Sequence, residues 1–146
     1  MKTLVWMFLI CTGIQFIPFG HSHTNPPVTK DLVWKSPQIQ EIIHRACYDC
    51  HSNETVWPWY ANVAPVSWLL QRDVNDGRRH LNFSEWDKPQ EHSGDVAEQI
   101  KEGEMPPWFY LPMHSNARLS DADRQTLISG VGETLGLQSG PRRNRK

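Results

Sequence analysis

The sequence predicts an all-α fold: a small helical domain with long loops, preceded by an N-terminal hydrophobic helix. Three observations carry this. Apolar residues recur at helical spacing in several separate stretches, no segment sustains the alternation of a half-buried strand, and Pro, Gly and Asn punctuate the intervals between the stretches. With 146 residues, 38% of them hydrophobic, the chain has room for one domain.

Taken in order, residues 4–19 (LVWMFLICTGIQFIPF) are almost wholly apolar and follow Lys2. A short positive start before an apolar run has the form of a signal sequence. It is slightly short for a bilayer span of about 17–25 residues. Gly20 is the only small residue at the end of the run, so residues 1–20 read as an uncleaved signal anchor, with a cleaved signal peptide as the other option. Either reading exports the domain. In a bacterium it would stand on the periplasmic side of the inner membrane, anchored by residues 4–19. Residues 21–35 read as a tether, because Asn25-Pro26-Pro27 stiffens the chain and resists helix.

The main domain is expected over residues 36–137. Ser36-Pro37 is a helix start, and Ile39, Ile42, Ile43 and Ala46 follow on one face, carrying the helix to about Cys47–Cys50. A second helix is expected from Pro65, with Val66, Leu69, Leu70 and Val74 inward and a stop at Asn75-Asp76-Gly77. A third, polar helix is expected from Gln90 to Glu102, ended by Gly103. The last begins at Ser120, with Asp123 three residues on as a form of capping box, and stops at Gly136. Residues 138–146 form a basic tail expected to be disordered.

Formal net charge is −1, but it is unevenly spread. Between residue 20 and Pro141 there are ten basic and sixteen acidic side chains, so the domain itself is acidic and stands between two basic ends. The acidic excess, with ten of the fifteen Lys and Arg still lying in the middle, argues against a nucleic-acid partner. Three cysteines are too few for a disulfide scaffold. Seven tryptophans exceed the needs of so small a core and suggest a wall around something flat and apolar.

The chemistry is carried by Cys47-Tyr48-Asp49-Cys50-His51, a C-x-x-C-H motif that reads as a c-type haem attachment site. Cysteines three apart on a helical turn share a face, so both thiols reach the two vinyl groups on one haem edge. His51 follows at the place where an imidazole can serve as proximal iron ligand. Zinc and a C-x-x-C disulfide are the competing readings. Zinc needs four ligands and there is no second C-x-x-C, while a thioredoxin-like pair expects a βαβ context.

An electron-carrying haem needs a second axial ligand, and Met105 is the expected one, on the Gly103-Glu104-Met105-Pro106-Pro107-Trp108 loop. Met113, His114, His80 and His92 are its rivals; His44 precedes the motif and faces away. Trp57 and Trp59 are expected in the haem wall, with Tyr60, Trp68, Trp86 and Trp108 as further aromatics for it. Arg78, Arg79 and His80 form the basic cluster of the acidic middle, and the arginine forks suit the anionic propionates.

A helix ending in C-x-x-C-H, a Met-Pro-Pro loop and Leu119-Ser120-Asp121-Ala122-Asp123 opening a final helix is similar to the small class I c-type cytochromes. The chain resembles a bacterial haem-binding domain family more closely. The likeness runs over roughly residues 25–135, through Ala46–Thr55, Trp57–Tyr60, Ala64–Trp68, Gly77–Trp86 and Gly103–Pro106. The resemblance implies haem binding in an all-α, c-type-cytochrome-like fold. The expected function is one-electron transfer by an exported, membrane-tethered monohaem cytochrome holding one covalent haem c. Its acidic face would dock a basic redox partner protein. The other readings are a haem enzyme or gas sensor with an open distal site, or a non-haem interaction module.

Overall fold

The structure, a computed structural model, describes residues 1–135. The expected basic tail at 138–146 and the Gly136 stop lie outside the described residues. Within them the regular elements are helical: α1 (Lys2–Gly13), α2 (Pro37–Ala46), α3 (Tyr48–His51), α4 (Val66–His80), α5 (Val96–Glu102) and α6 (Asp121–Thr134), with 3₁₀ turns between. One isolated parallel bridge, Lys30 to Glu85, stands outside the helices.

Helix α1 buries none of its residues. Its 12 residues rise about 18 Å at 1.5 Å each. The hydrocarbon core of a bilayer is about 30 Å thick, and no described helix is long and apolar enough to cross a membrane. The helix ends because Pro18 is near. A residue before proline is pushed to extended backbone, and Ile17 sits at φ −78, ψ 119 after the tight turn Ile14–Phe16. The Gln15 amide then ties this end to the domain, donating to the Ala64 carbonyl (2.9 Å) and accepting from the Ala64 N–H (3.0 Å).

Residues 21–35 do not stand off as a tether; they form a strap laid on the domain. The stretch is extended, as Asn25-Pro26-Pro27 requires, and an extended backbone must pair its polar groups. Thr29 and Lys30 N–H groups donate to the Ser84 carbonyl, and Leu32 N–H donates to Phe83 at 2.9 Å. Leu32 and Trp34 are buried in the core beside Phe83, so the strap contributes apolar surface that a loose linker would leave in water.

Helix α2 starts at Ser36-Pro37 and buries Ile39, Ile42, Ile43 and Ala46, the expected face. It breaks at Cys47 (φ −128, ψ −31), and the rest of the motif forms the separate turn α3. Helix α4 does not stop at Gly77. It runs on to His80, because Gly77 serves close packing: a Cβ there would run into the Cys50 carbonyl. The third helix is shorter than expected. Gln90 folds back as a loop brace, donating to the Glu85 carbonyl and accepting from Asn82 N–H (both 2.9 Å), and α5 begins only at Val96. Gly103 ends it in the left-handed conformation (φ 76), where glycine has no Cβ penalty. Helix α6 opens with the full capping box, Ser120 Oγ accepting from Asp123 N–H and the Asp123 carboxylate accepting from Ser120 N–H. Ile43, Phe83, Leu127 and Val131, each at most 1% exposed, form the centre of the core.

Candidate functional site

One wall of the site is the close pair α3 and α4. Gly77 lets the two helices meet with backbone against backbone, and this brings the α4 C-terminus up to the His51 ring. His51 Nδ1–H donates to the carbonyls of Gly77 (3.1 Å) and Leu81 (3.0 Å). Carbonyls only accept, so Nδ1 carries the proton and the neutral ring keeps its lone pair on Nε2. Burial disfavours the imidazolium and lowers the His51 pKa, although the two carbonyls act the other way. A half-buried neutral imidazole, oriented through one nitrogen with the other left free, is the arrangement of a metal-binding histidine.

The backbone of His51 is held as firmly as its ring. Its carbonyl accepts from Phe83 N–H at 2.8 Å. Just beyond, Asn53 N–H donates to Ser84 Oγ (3.0 Å), Asn82 Nδ2 donates to Asn53 Oδ1 (2.9 Å), and Ser84 N–H donates to Asn82 Oδ1 (3.0 Å). Asn53, Asn82 and Ser84 are all buried, and this closed network is the function of the Asn82–Glu85 loop. Sequence reasoning had no role for that loop; the alternation of Asn and Ser around Phe83 was its only trace.

A cavity of about 620 Å³ opens beside His51, within the range of about 300–1,000 Å³ that small-molecule and cofactor sites occupy. Its lining is largely apolar and aromatic, and includes Cys47, Cys50, His51, Trp59, Phe83 and Met105. The C-x-x-C-H residues and Met105, far apart in the chain, thus share one cavity. Both thiols are unbridged. Burial pushes each up to about 12, with neighbouring Cys50 adding to the effect on Cys47 and Asp49 to that on Cys50. Among the described residues no group of three or more His, Cys, Asp or Glu is arranged to hold a metal ion.

The loop after α5 closes the other side of the site. Tyr110 OH donates to Asp49 Oδ2 at 2.7 Å, and Asp49 Oδ1 accepts from Val56 N–H at 3.0 Å. Burial, then this carboxylate, pushes the Tyr110 phenol well above its usual range, so it remains a donor. The Tyr110 ring stacks on His114 with centroids 3.7 Å apart. His114 Nε2 meets Tyr60 OH at 3.0 Å, and its Nδ1 meets the Tyr110 carbonyl at 3.1 Å. Both His114 nitrogens are thereby engaged, while Met113 is 61% exposed. Met105, half-buried, lines the cavity together with the more exposed Met113.

Trp59 and Tyr60 line the cavity; Trp57 does not, and stacks instead on His23 of the strap at 4.7 Å. Trp108, 80% exposed, also lies outside the lining. Arg78 and Arg79 are not at the cavity either. The face of α4 that carries Arg78 points to the turn after the motif, where its guanidinium donates to Ser52 O (2.7 Å), Thr55 Oγ1 (2.8 Å), Thr24 O (2.9 Å) and Asn25 Oδ1 (2.8 Å). These oxygens take four of its five N–H groups, so it clamps the strap to the motif. Arg79 is exposed and pairs with Asp76 at 3.0 Å. His80, of the basic cluster, and His92, expected as a rival ligand, both line the cavity.

A largely apolar cavity, two thiols on one turn, an oriented imidazole and a methionine in the same lining fit a haem, a flat apolar group with iron at its centre. The model of the haem-binding domain family matches residues 9–133. Neither a curated protein nor a solved structure matches the chain. With the match running over most of the sequence and the cavity built around its C-x-x-C-H turn, the chain belongs to the haem-binding domain family.

Proposed function

We propose that this protein is a monohaem c-type electron carrier. The observation that carries the reading is the shared cavity: Cys47, Cys50, His51 and Met105 line it together. Cys47 and Cys50 hold a single haem through thioethers, His51 Nε2 is the proximal ligand and Met105 Sδ the distal one. The bound haem supplies one-electron chemistry at its iron. The protein's part is to hold two strong ligands at fixed geometry, so that little rearranges when the charge changes. Thioether ligation on one side raises the potential over two imidazoles. Trp59 and Tyr60 form part of the wall that keeps water from the ring.

The reading extends to place and partner. The exposed apolar face of α1 supports an export signal or lipid anchor over residues 4–19, with the domain outside the inner membrane. The excess of acidic residues in the domain supports a basic redox partner.

Two measurements on the matured protein test this. Mass spectrometry under denaturing conditions should show one haem-sized increment, lost in a Cys47→Ala, Cys50→Ala variant. Met105→Ala should convert the six-coordinate low-spin spectrum to one with an open site that binds carbon monoxide. If wild type itself binds carbon monoxide quickly and Met105→Ala has the same spectrum, the electron-carrier reading gives way to an open-site sensor or enzyme.

A further inference from the structure

With Arg78 and Arg79 turned away, the cavity needs another partner for an anionic edge. Its lining among the described residues contains no Lys or Arg. Two groups of polar rings stand out among the lining residues. Tyr60, Tyr110 and His114 are bonded to one another and, through Tyr110, to Asp49, which stands between the two cysteines. Their donors are thereby spent on one another and on Asp49.

His80 and His92 are the second group. Their rings lie 4.9 Å apart, centroid to centroid, and no hydrogen bond or ring contact joins them to the first group. His80 Nδ1–H donates to the Asp76 carbonyl at 2.7 Å, and His92 Nδ1 meets Asp95 Oδ2 at 3.3 Å. In both rings the polar contact is made by Nδ1, so both Nε2 atoms are unpartnered. Both rings are exposed at one side. A pair of free imidazole nitrogens at a solvent-facing cavity edge suits a carboxylate that keeps some of its hydration.

We propose that His80 and His92 form the carboxylate subsite of this cavity and pair, as imidazolium donors through Nε2, with the haem propionates. The proposal rests on the haem reading above. A haem held through its vinyl groups at Cys47 and Cys50 would carry its propionates on its other edge. His80 would then stand between the Asp76 carbonyl and a propionate, and His92 between the Asp95 carboxylate and a propionate. The two histidines take the role that an arginine fork fills at other carboxylate sites.

The test uses the full-length matured protein in its reduced, diamagnetic state. Side-chain nitrogen NMR should show Nε2 of His80 and His92 protonated, and resonance Raman should show the propionate bending bands shifted in both His80→Phe and His92→Phe. The covalent haem mass should be unchanged in each variant, since Cys47 and Cys50 still hold the ring. Unshifted propionate bands in both variants, or Nε2 of both histidines carrying only a lone pair in the haem-loaded protein, would overturn the proposal. Absence of the haem mass from wild type would instead remove the reading beneath it.

Discussion

Gly77→Ala is the substitution whose sign separates helix propensity from tertiary contact. Gly77 sits inside α4, and there alanine is favoured over glycine by about 1 kcal/mol. Propensity alone predicts a stabilised protein. The tertiary contact predicts the reverse. A Cβ at 77 collides with the Cys50 carbonyl oxygen, and it would sit 3.0 Å from the carbonyl carbon and 3.1 Å from Cys50 Cβ. Two of these atoms are backbone, so no side-chain rotation relieves the clash and α3 must move away from α4. Overpacking of this kind costs about 1–3 kcal/mol, and a rigid backbone contact belongs at the upper end. Net of propensity, the loss is about 2 kcal/mol.

The displacement also pulls the Gly77 carbonyl from His51 Nδ1, so the effect reaches the site. The assay is thermal or denaturant unfolding of the matured protein, with the haem absorption spectrum recorded on the same samples. For a domain of this size, about 2 kcal/mol lowers Tm by roughly 4–8 °C. Gly94→Ala is the control, because no atom lies within 4 Å of its ideal Cβ, and its effect should stay within about 0.5 kcal/mol. A Gly77→Ala protein as stable as wild type, with an unaltered haem spectrum, would refute the claim that this glycine sets the α3–α4 distance.

Two further outcomes follow from the loop and the last helix. Tyr110→Phe keeps the stack on His114 but removes the 2.7 Å donor to Asp49, so it should cost about 1–3 kcal/mol and speed hydrogen exchange in the loop between α5 and α6. Unchanged exchange there would show that the bond does not hold the loop. Asp123 is held below its ordinary value of 3.8, first by the Ser120 N–H, then by the Ser120 hydroxyl and Arg45. A folded-state value below the unfolded one means that its stabilisation is complete above the ordinary value and fades as pH falls through the lower, folded one. Asp123→Asn should therefore cost about 1 kcal/mol at neutral pH and flatten the acid side of the stability curve, as read from unfolding midpoints across pH.

Local signals announced the helices wherever the chemistry was local. Ser120 and Asp123 form their capping box with groups three residues apart, and the Ile39–Ala46 face follows from spacing alone. The same locality made Cys47, Cys50 and His51 legible, because a C-x-x-C-H turn places its own thiols. Gly77 shows where such signals fail. Beside Asn75 and Asp76 it has the composition of a helix stop, yet its neighbour across the fold is the Cys50 carbonyl, 27 residues earlier. Arg78 failed as a propionate partner for a similar reason: its charge was visible, but the direction of its helix face was not.

The order of residues was enough to establish an all-helical chain with a haem-type turn and a methionine loop, because periodicity, capping and motif spacing act over a few residues. What only folding could settle is which distant groups meet. The strap became part of the core because its unpaired extended backbone found the 83–84 carbonyls. Asn53, Asn82 and Ser84 closed a network whose members are about 30 residues apart. His80 and His92 came to the cavity while Arg78 and Arg79, next to His80 in sequence, do not line it. Contacts of that kind depend on helix rotation and close approach, which side-chain type alone does not specify.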